Sequence, residues 1–360
     1  MSTSRRSKAD VLSQRALGRA TLARQLLLER TPITPLAAIE QLAGMQAQVP
    51  RPPFVGLWSR VPGFERAALH RLVHDRHAVR ATMMRGTIHL VSAADFVVMR
   101  AALAPMLSMG MRRIAGVDVP AVVKHARKLL PATFETVRAG LSAKFPAHDQ
   151  RSLAYAVQMH LPLVRVPSET RWSYAGNAHF HEAAAWLGRG LAQAGLEPLV
   201  RRYLAAFGPA TVKDAQAWSG VRNLGPVFEA MRHELRVFRD EDDRELFDLA
   251  DAPRPDADTP APVRLLPEYD NLLLAFADHA RIIEPARRPP LTTKNGMVAA
   301  TFLVDGRVAG TWELTRDADA AAIRLRPFGK LTKPALAAVR EEAEALLRWH
   351  EPDATKLTIR

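Results

Sequence analysis

The 360-residue chain carries 50 Lys and Arg against 37 Asp and Glu, a formal charge of +13, with 48% hydrophobic residues and no cysteine. That composition is globular rather than disordered, and it excludes disulfides, a thiolate nucleophile and any Cys-based zinc site. The length suits two or three packed units, and a large positive balance points to an acidic polymer as partner, nucleic acid first.

The charge is unevenly spread. Residues 239–258 hold nine acids against three arginines, a local charge of −6, so the remainder of the chain carries +19. The basic N-terminus (Arg5, Arg6, Lys8) is not followed by an apolar run, so no signal peptide is expected. No apolar stretch reaches 18 residues, so no membrane span is expected, and the lack of cysteine fits a cytoplasmic setting.

In chain order, a helical pattern covers Val11–Glu29. Thr34 then caps a short helix with Pro35 at its first position, and Gly44 is placed to stop it. After the Pro50–Pro53 loop a helix is predicted over Phe64–His74, then two β runs, Ala78–Met83 and Thr87–Val91, joined at Arg85-Gly86. Ser92 and Asp95 form a capping box for the next helix. The same helix-then-hairpin order recurs with Gln150–His160 followed by Leu163–Val166 and Arg171–Tyr174. It recurs again after a capping box at Thr211 and Asp214, with a helix near 226–233 and strands Leu235–Arg239 and Glu245–Leu249. Helices followed by a hairpin is the winged-helix order. Residues Ala252–Pro262 read as a linker. Beyond it, Asp305-Gly306 joins the β runs Val298–Val304 and Arg307–Leu314, Ala321–Leu325 adds a strand, and Lys333–Trp349 forms a terminal amphipathic helix.

There is no Gly-rich phosphate loop, no His-Glu-x-x-His and no Gly-x-Ser-x-Gly. His179 and His181 lack a nearby third ligand, so neither a metal nor another cofactor is expected. Gln46-Ala47-Gln48 stands out. The prolines that follow it disfavour a helix, and strand-like alternation turns both glutamines to one side, with Ala47 to the other. Two neutral amides on one face can hold a water by donating to it and accepting from it.

The stretch Leu42-Ala43-Gly44-Met45-Gln46-Ala47-Gln48 with its Pro-rich sequel resembles the catalytic segment of the AlkZ-like winged-helix DNA glycosylases. Arg85-Gly86-Thr87-Ile88-His89-Leu90-Val91, Leu266-Pro267-Glu268-Tyr269-Asp270-Asn271-Leu272, and Asn295-Gly296-Met297 leading to Val304-Asp305-Gly306-Arg307 resemble the same family. The resemblance implies an α+β chain of three tandem winged-helix units (1–110 with the catalytic loop, 111–195, 196–252) followed by a β-rich C-terminal domain (263–360). It further implies that Gln46 and Gln48 carry hydrolysis of an N-glycosidic bond. With Gln48 where one branch has Asp, the chain is similar to the Gln-x-Gln branch, associated with bulky alkylated purines and unhooking of interstrand crosslinks.

Chemistry is compatible with that implication. Alkylation at N7 makes a purine cationic, so it leaves neutral without a general acid, and the enzyme's task is positioning and electrostatics. Glu268 and Asp270, with Asn271, are open to two roles: orienting a base or water, or pairing with arginines inside the C-terminal unit. Arg51 beside the glutamines, Arg85, His89 on its strand, and the loop Arg287-Arg288 through Lys294-Asn295 are the candidate DNA contacts; for His89 the buried, hydrogen-bonded reading stands ahead of a DNA contact. No heptad seam is visible, so a monomer acting on damaged double-stranded DNA is expected. The alternative is a non-catalytic winged-helix binder or regulator.

Overall fold

The computed structural model describes residues 11–110, 116–284, 291–292 and 296–360. Ser13 caps the first helix through Ala16 N, after the short strand β1 (Val11–Leu12), so helix α1 is Gln14–Arg24 rather than the longer predicted run. Thr34 and Pro35 start α2 (Pro35–Gln41) as expected. Ala43 and Gly44 then turn the chain with φ of 53° and 86° into β2 (Met45–Gln46). A Cβ at Gly44 would lie 2.6 Å from Val91 Cγ1, so both conformation and space require glycine there.

The Pro-rich stretch is half helix. Pro52 and Pro53 open α3 (Pro52–Trp58), because a missing amide N–H costs nothing in a first helical turn. Next come α4 (Arg66–His74), β3 (Ala78–Thr82), β4 (Ile88–Ser92) and α5 (Ala93–Met109), the last capped by the Ser92 hydroxyl. Asp95 does not close the capping box; its carboxylate goes to Arg202. Three helices, α6 (Val119–Leu129), α7 (Phe134–Lys144) and α8 (Gln150–His160), surround β5 (Ala132–Thr133).

The second hairpin corrects the sequence reading. Strand β6 (Leu163–Arg165) pairs with β7 (His179–Glu182), not with Arg171–Tyr174. The latter alternate because they seal a loop: Trp172 packs edge-on against Phe54, Ser173 (φ 63°) bonds His70, and Tyr174 enters the core beneath α3 and α4. Helix α9 (Ala183–Leu187), α10 (Glu197–Phe207), α11 (Val212–Ser219, with the predicted Thr211–Asp214 capping box) and α12 (Gly225–Met231) lead to β8 (Leu235–Asp240) and β9 (Glu245–Leu249). The C-terminal part holds β10 (Arg264–Leu266), β11 (Thr301–Val304), β12 (Arg307–Asp317), β13 (Ala320–Pro327), α13 (Lys333–His350) and β14 (Lys356–Ile359).

The described residues thus form a mixed α+β fold with three sheets, ordered β1-β8-β9, β10-β11-β12-β13-β14 and β2-β4-β3-β6-β7-β5. The third sheet fuses the first two hairpins, Ala81 standing opposite Val164, and β1 joins the third hairpin in parallel. Consecutive stretches of chain therefore share sheets rather than standing apart. Trp218, Tyr203 and Phe207 cluster at the centre of a core that also takes in α5, the β3–β4 hairpin and residues 266–283. The 252–262 segment is no free linker: its backbone carbonyls at Pro253, Ala257 and Thr259 accept bonds from Arg24, Arg15 and Arg19 of α1. Among the described residues no helix is long and apolar enough to cross a membrane.

Candidate active site

Strand β2 is an edge of the six-stranded sheet, and its register sets Gln46 opposite His89. The ladder continues one residue further, where Ala47 N donates to Ile88 O. This places the three residues of the Gln-Ala-Gln segment differently from simple alternation. Ala47 is core, packed among Leu26, Phe54 and Leu90. Gln46 is 7% exposed, whereas Gln48 lies at the surface. Both amides nonetheless end on the same stretch of chain. Gln46 Oε1 accepts from Arg85 Nη2 at 2.7 Å, and Gln48 Oε1 accepts from Ile88 N at 3.3 Å. An arginine only donates, so this contact fixes which end of the Gln46 amide is oxygen and leaves its NH2 to face outward.

Two arginines hold the segment. Arg80, on β3, donates to the carbonyls of Ala47 and Gln48 at 2.8 and 3.0 Å. Arg85 sits in the tight turn between β3 and β4 at φ 57° and donates to Trp218 O as well as to Gln46. Neither is in an ion pair with a carboxylate among the described residues. Burial lowers the Arg85 pKa to about 10; burial, with Arg165 adding to it, lowers that of Arg80 to about 9. Both stay charged at neutral pH, at a cost in solvation that the bonds to the loop offset.

The opposite wall comes from the turn after β10. Gly44, Met45, Gln46, Glu268, Tyr269, Asp270 and Asn271 line one small cleft. Tyr269 adopts φ 60°, which turns its two carboxylate neighbours apart. Asp270 faces inward. It pairs with buried Arg60 at 2.9 Å and accepts from Leu272 N, while Arg60 also reaches Gln25 O and Gly56 O. Of the two roles open for this residue, the structure places it in the structural one. Glu268 faces the cleft: one oxygen pairs with Arg51, and the other is buried without a partner. Asn271 donates to Gly44 O, tying the two walls together, and its side chain also bonds His89.

His89 stands beneath the site, opposite Gln46 on β4. It has no exposed surface, so it offers no atom to DNA, and the expectation of a direct DNA contact fails for that reason. Its Nδ1 faces Thr87 O at 3.2 Å, and the Asn271 side chain bonds the ring as well. Burial, then the nearby Arg85 cation, lower its pKa to about 3, so the ring is neutral at physiological pH.

Residues 39–349 match the family model described as DNA glycosylase AlkZ-like. The chain belongs to the AlkZ-like DNA glycosylase family. An "Interstrand DNA cross-link repair glycosylase" of Streptomyces sahachiroi is 25% identical over 356 residues, covering 90% of this chain and 93% of that protein. The solved structure of Streptomyces sahachiroi DNA glycosylase AlkZ superposes with a TM-score of 0.77 at 22% identity, covering 97% of this chain and 99% of that one, so the fold is shared.

Within this AlkZ-like chain the structure brings together Gln46, Gln48, Arg51, Arg85, His89, Glu268 and Asn271. Arg51 and Arg85, both expected to meet DNA, are engaged by Glu268 and by Gln46 respectively. Arg287, Arg288, Lys294 and Asn295 lie outside the described residues. His179 and His181 are on β7, where His181 packs on Trp186; among the described residues no three His, Asp or Glu side chains cluster as metal ligands. Sequence reasoning missed Arg60 and Arg80. The available signal was a charged residue inside an otherwise apolar run, as in Ala78-Val79-Arg80-Ala81.

Proposed function

We propose that the protein hydrolyses the N-glycosidic bond of bulky N7-alkylated purines in double-stranded DNA, including purines joined in interstrand crosslinks, as a monofunctional glycosylase acting as a monomer without a metal. The observation that carries this is the Gln46 amide, locked by Arg85 on the wall facing the unpartnered Glu268 oxygen. In this reading a water accepts from the Gln46 amide NH2, donates one proton to Gln48 Oε1 and points the other at Glu268, which leaves its second lone pair free for C1′. Glu268 takes the proton as the bond to C1′ forms, since neutral amides are too weakly basic. The alkylated base departs neutral, so the site needs no acid at the leaving group. Carboxylate and DNA phosphates stabilise the cationic sugar. The name carried by the Streptomyces relative supports the crosslink substrate.

The same proposal reads the three helix-plus-hairpin stretches ending in β3–β4, β6–β7 and β8–β9 as winged helices within 1–110, 111–195 and 196–252, with 263–360 as the β-rich unit. Their support is the recurring order of helices and hairpin.

The test is single-turnover release of N7-methylguanine from duplex DNA, beside thermal melting. Gln46→Ala/Gln48→Ala and Glu268→Gln proteins should fold and bind DNA yet release base slowly. Full activity in a folded double variant would overturn the assignment.

A further inference from the structure

We propose that the groove beside β6, lined by Arg138, Gln158, Arg165 and Asn177, binds a phosphate of the DNA backbone flanking the hydrolysis site. The proposal rests on the reading that DNA is the substrate.

The argument starts from the sheet register. Ala81 pairs with Val164 in antiparallel fashion, so the neighbouring positions Arg80 and Arg165 stand directly opposite each other, their side chains on one face. Like charges across a strand pair repel, and natural sheets place a carboxylate there to relieve it. None is present: among the described residues neither Arg80 nor Arg165 is in an ion pair with Asp or Glu. Tyr174, buried between them, is a neutral phenol; burial raises its pKa further. Arg80 turns its donors to the Ala47 and Gln48 carbonyls and lies over the Tyr174 ring. Arg165 makes no hydrogen bond to a described residue; it lies over Phe180, 4.7 Å from the ring centre, and borders a groove of about 200 Å³. A half-buried guanidinium with unused donors, next to a second cation, is a site prepared for an anion from outside.

The rest of the groove suits a phosphate. Arg138 reaches in from α7, with Gln158 from α8 and Asn177 from the loop before β7 adding neutral donors. One carboxylate, Glu135, stands exposed at the rim and opposes an anion. Location selects the source. Arg80 links this face of the sheet to the Gln48 backbone, and one strand spacing separates β3 from β6. In the order β2-β4-β3-β6-β7 the groove stands three to four strand spacings from the Gln-Ala-Gln segment, on the order of 15–20 Å, within the reach of the same DNA duplex.

The experiment measures binding of undamaged duplex DNA across a salt series, which needs no base release. Arg165→Gln should weaken binding about tenfold at low salt and reduce the slope of log K against log salt by about 0.9, the share of one phosphate. Lys333→Gln, an equal charge change on exposed α13, should alter the slope little. Glu135→Gln should tighten binding. Without DNA, Arg165→Gln should melt no lower than wild type, because it removes repulsion with Arg80. An unchanged slope in Arg165→Gln, unchanged affinity in Glu135→Gln, or a lowered melting point in Arg165→Gln overturns the proposal. So does an inorganic phosphate titration that stabilises wild type and not Arg165→Gln while DNA binding is equal in both, since the groove would then take free phosphate. A wild-type protein that released no base but showed these binding effects would sink the glycosidic reading and leave this site standing.

Discussion

Two regions of the molecule bury arginines in opposite ways. Around α1 and the start of the C-terminal sheet, most buried guanidinium groups meet a carboxylate: Arg24 and Arg254 on Asp248, Arg60 on Asp270, Arg19 on Asp305, with Arg264 of β10 the exception. In and beside the six-stranded sheet, Arg80, Arg85, Arg100 and Arg165 have no carboxylate partner among the described residues, and burial lowers the pKa of each. The first group is internal cement. The second holds positive charge without a carboxylate partner among the described residues, and two of its members, Arg80 and Arg85, hold the segment where hydrolysis is proposed. The pairing of each arginine, more than its exposure, separates the two functions.

The largest effect expected from this comparison lies in the first region. Asp248→Ala leaves Arg24 and Arg254 without their shared carboxylate, and breaking such a buried pair costs about 3–5 kcal/mol. Chemical denaturation should show that loss while the salt slope of DNA binding in the folded protein stays unchanged. A change of slope would erase the division between the two regions.

Next comes Gln46→Ala, expected to slow single-turnover base release by about 2–4 kcal/mol of barrier, the scale for one preorganised hydrogen bond. Gln48→Ala should cost less, because Gln48 is exposed and held only by the longer bond to Ile88 N. The double variant should fall well short of the sum, as expected for two groups sharing one water. Equal single effects would mean that the Arg85 bond to Gln46 confers no advantage.

The third prediction concerns acid. The His89 pKa is about 3 in the fold, below the value near 6.5 of an unfolded chain, so the unfolded state takes up the proton first. Stability from this group is complete above pH 6.5 and falls as pH drops from 6.5 towards 3, by about 1.4 kcal/mol per unit. At pH 5 roughly 2 kcal/mol should be gone. His350, lowered to about 4 by burial, adds to the loss in the same direction. His89→Asn should flatten the dependence of melting temperature on pH between 6.5 and 5; an unchanged profile would show that protonating a third cation beside Arg85 costs nothing.

The smallest effect distinguishes a cation that holds an amide from one that holds the fold. Arg85→Met should change stability by about 1 kcal/mol or less, because the lost bonds are offset by removing an uncompensated buried charge. Base release should nonetheless slow about tenfold, with DNA affinity at moderate salt largely kept. Heavy destabilisation would place Arg85 with the cement.

The sequence disclosed much of this arrangement, for identifiable reasons. The β3–β4 and β8–β9 hairpins and α8 were legible because apolar periodicity, turn residues and caps agree locally. Arg171–Tyr174 misled because Trp172 and Tyr174 are buried by a loop folding over α3, and burial in a loop imitates strand alternation. Gln46 and Gln48 were legible as a motif, but their unequal burial was not, since it depends on β2 joining an edge whose ladder ends at Ala47. Glu268 and Asp270 could not be separated from sequence. What separates them is the left-handed turn at Tyr269 and the presence of Arg60, 210 residues away, on one side only.

The stitching of α1 also bears on synthesis. Its arginines bond Leu204 O, Asp248, Thr259 O and Asp305, partners 180 to 290 residues later in the chain. Helix α1 therefore leaves the ribosome long before any of its ion-pair partners exist, and its last stitch waits until Asp305 emerges. The sheet holding Gln46 closes much earlier, once β7 has been made. A nascent chain thus assembles its proposed hydrolytic wall first and fastens its own beginning last.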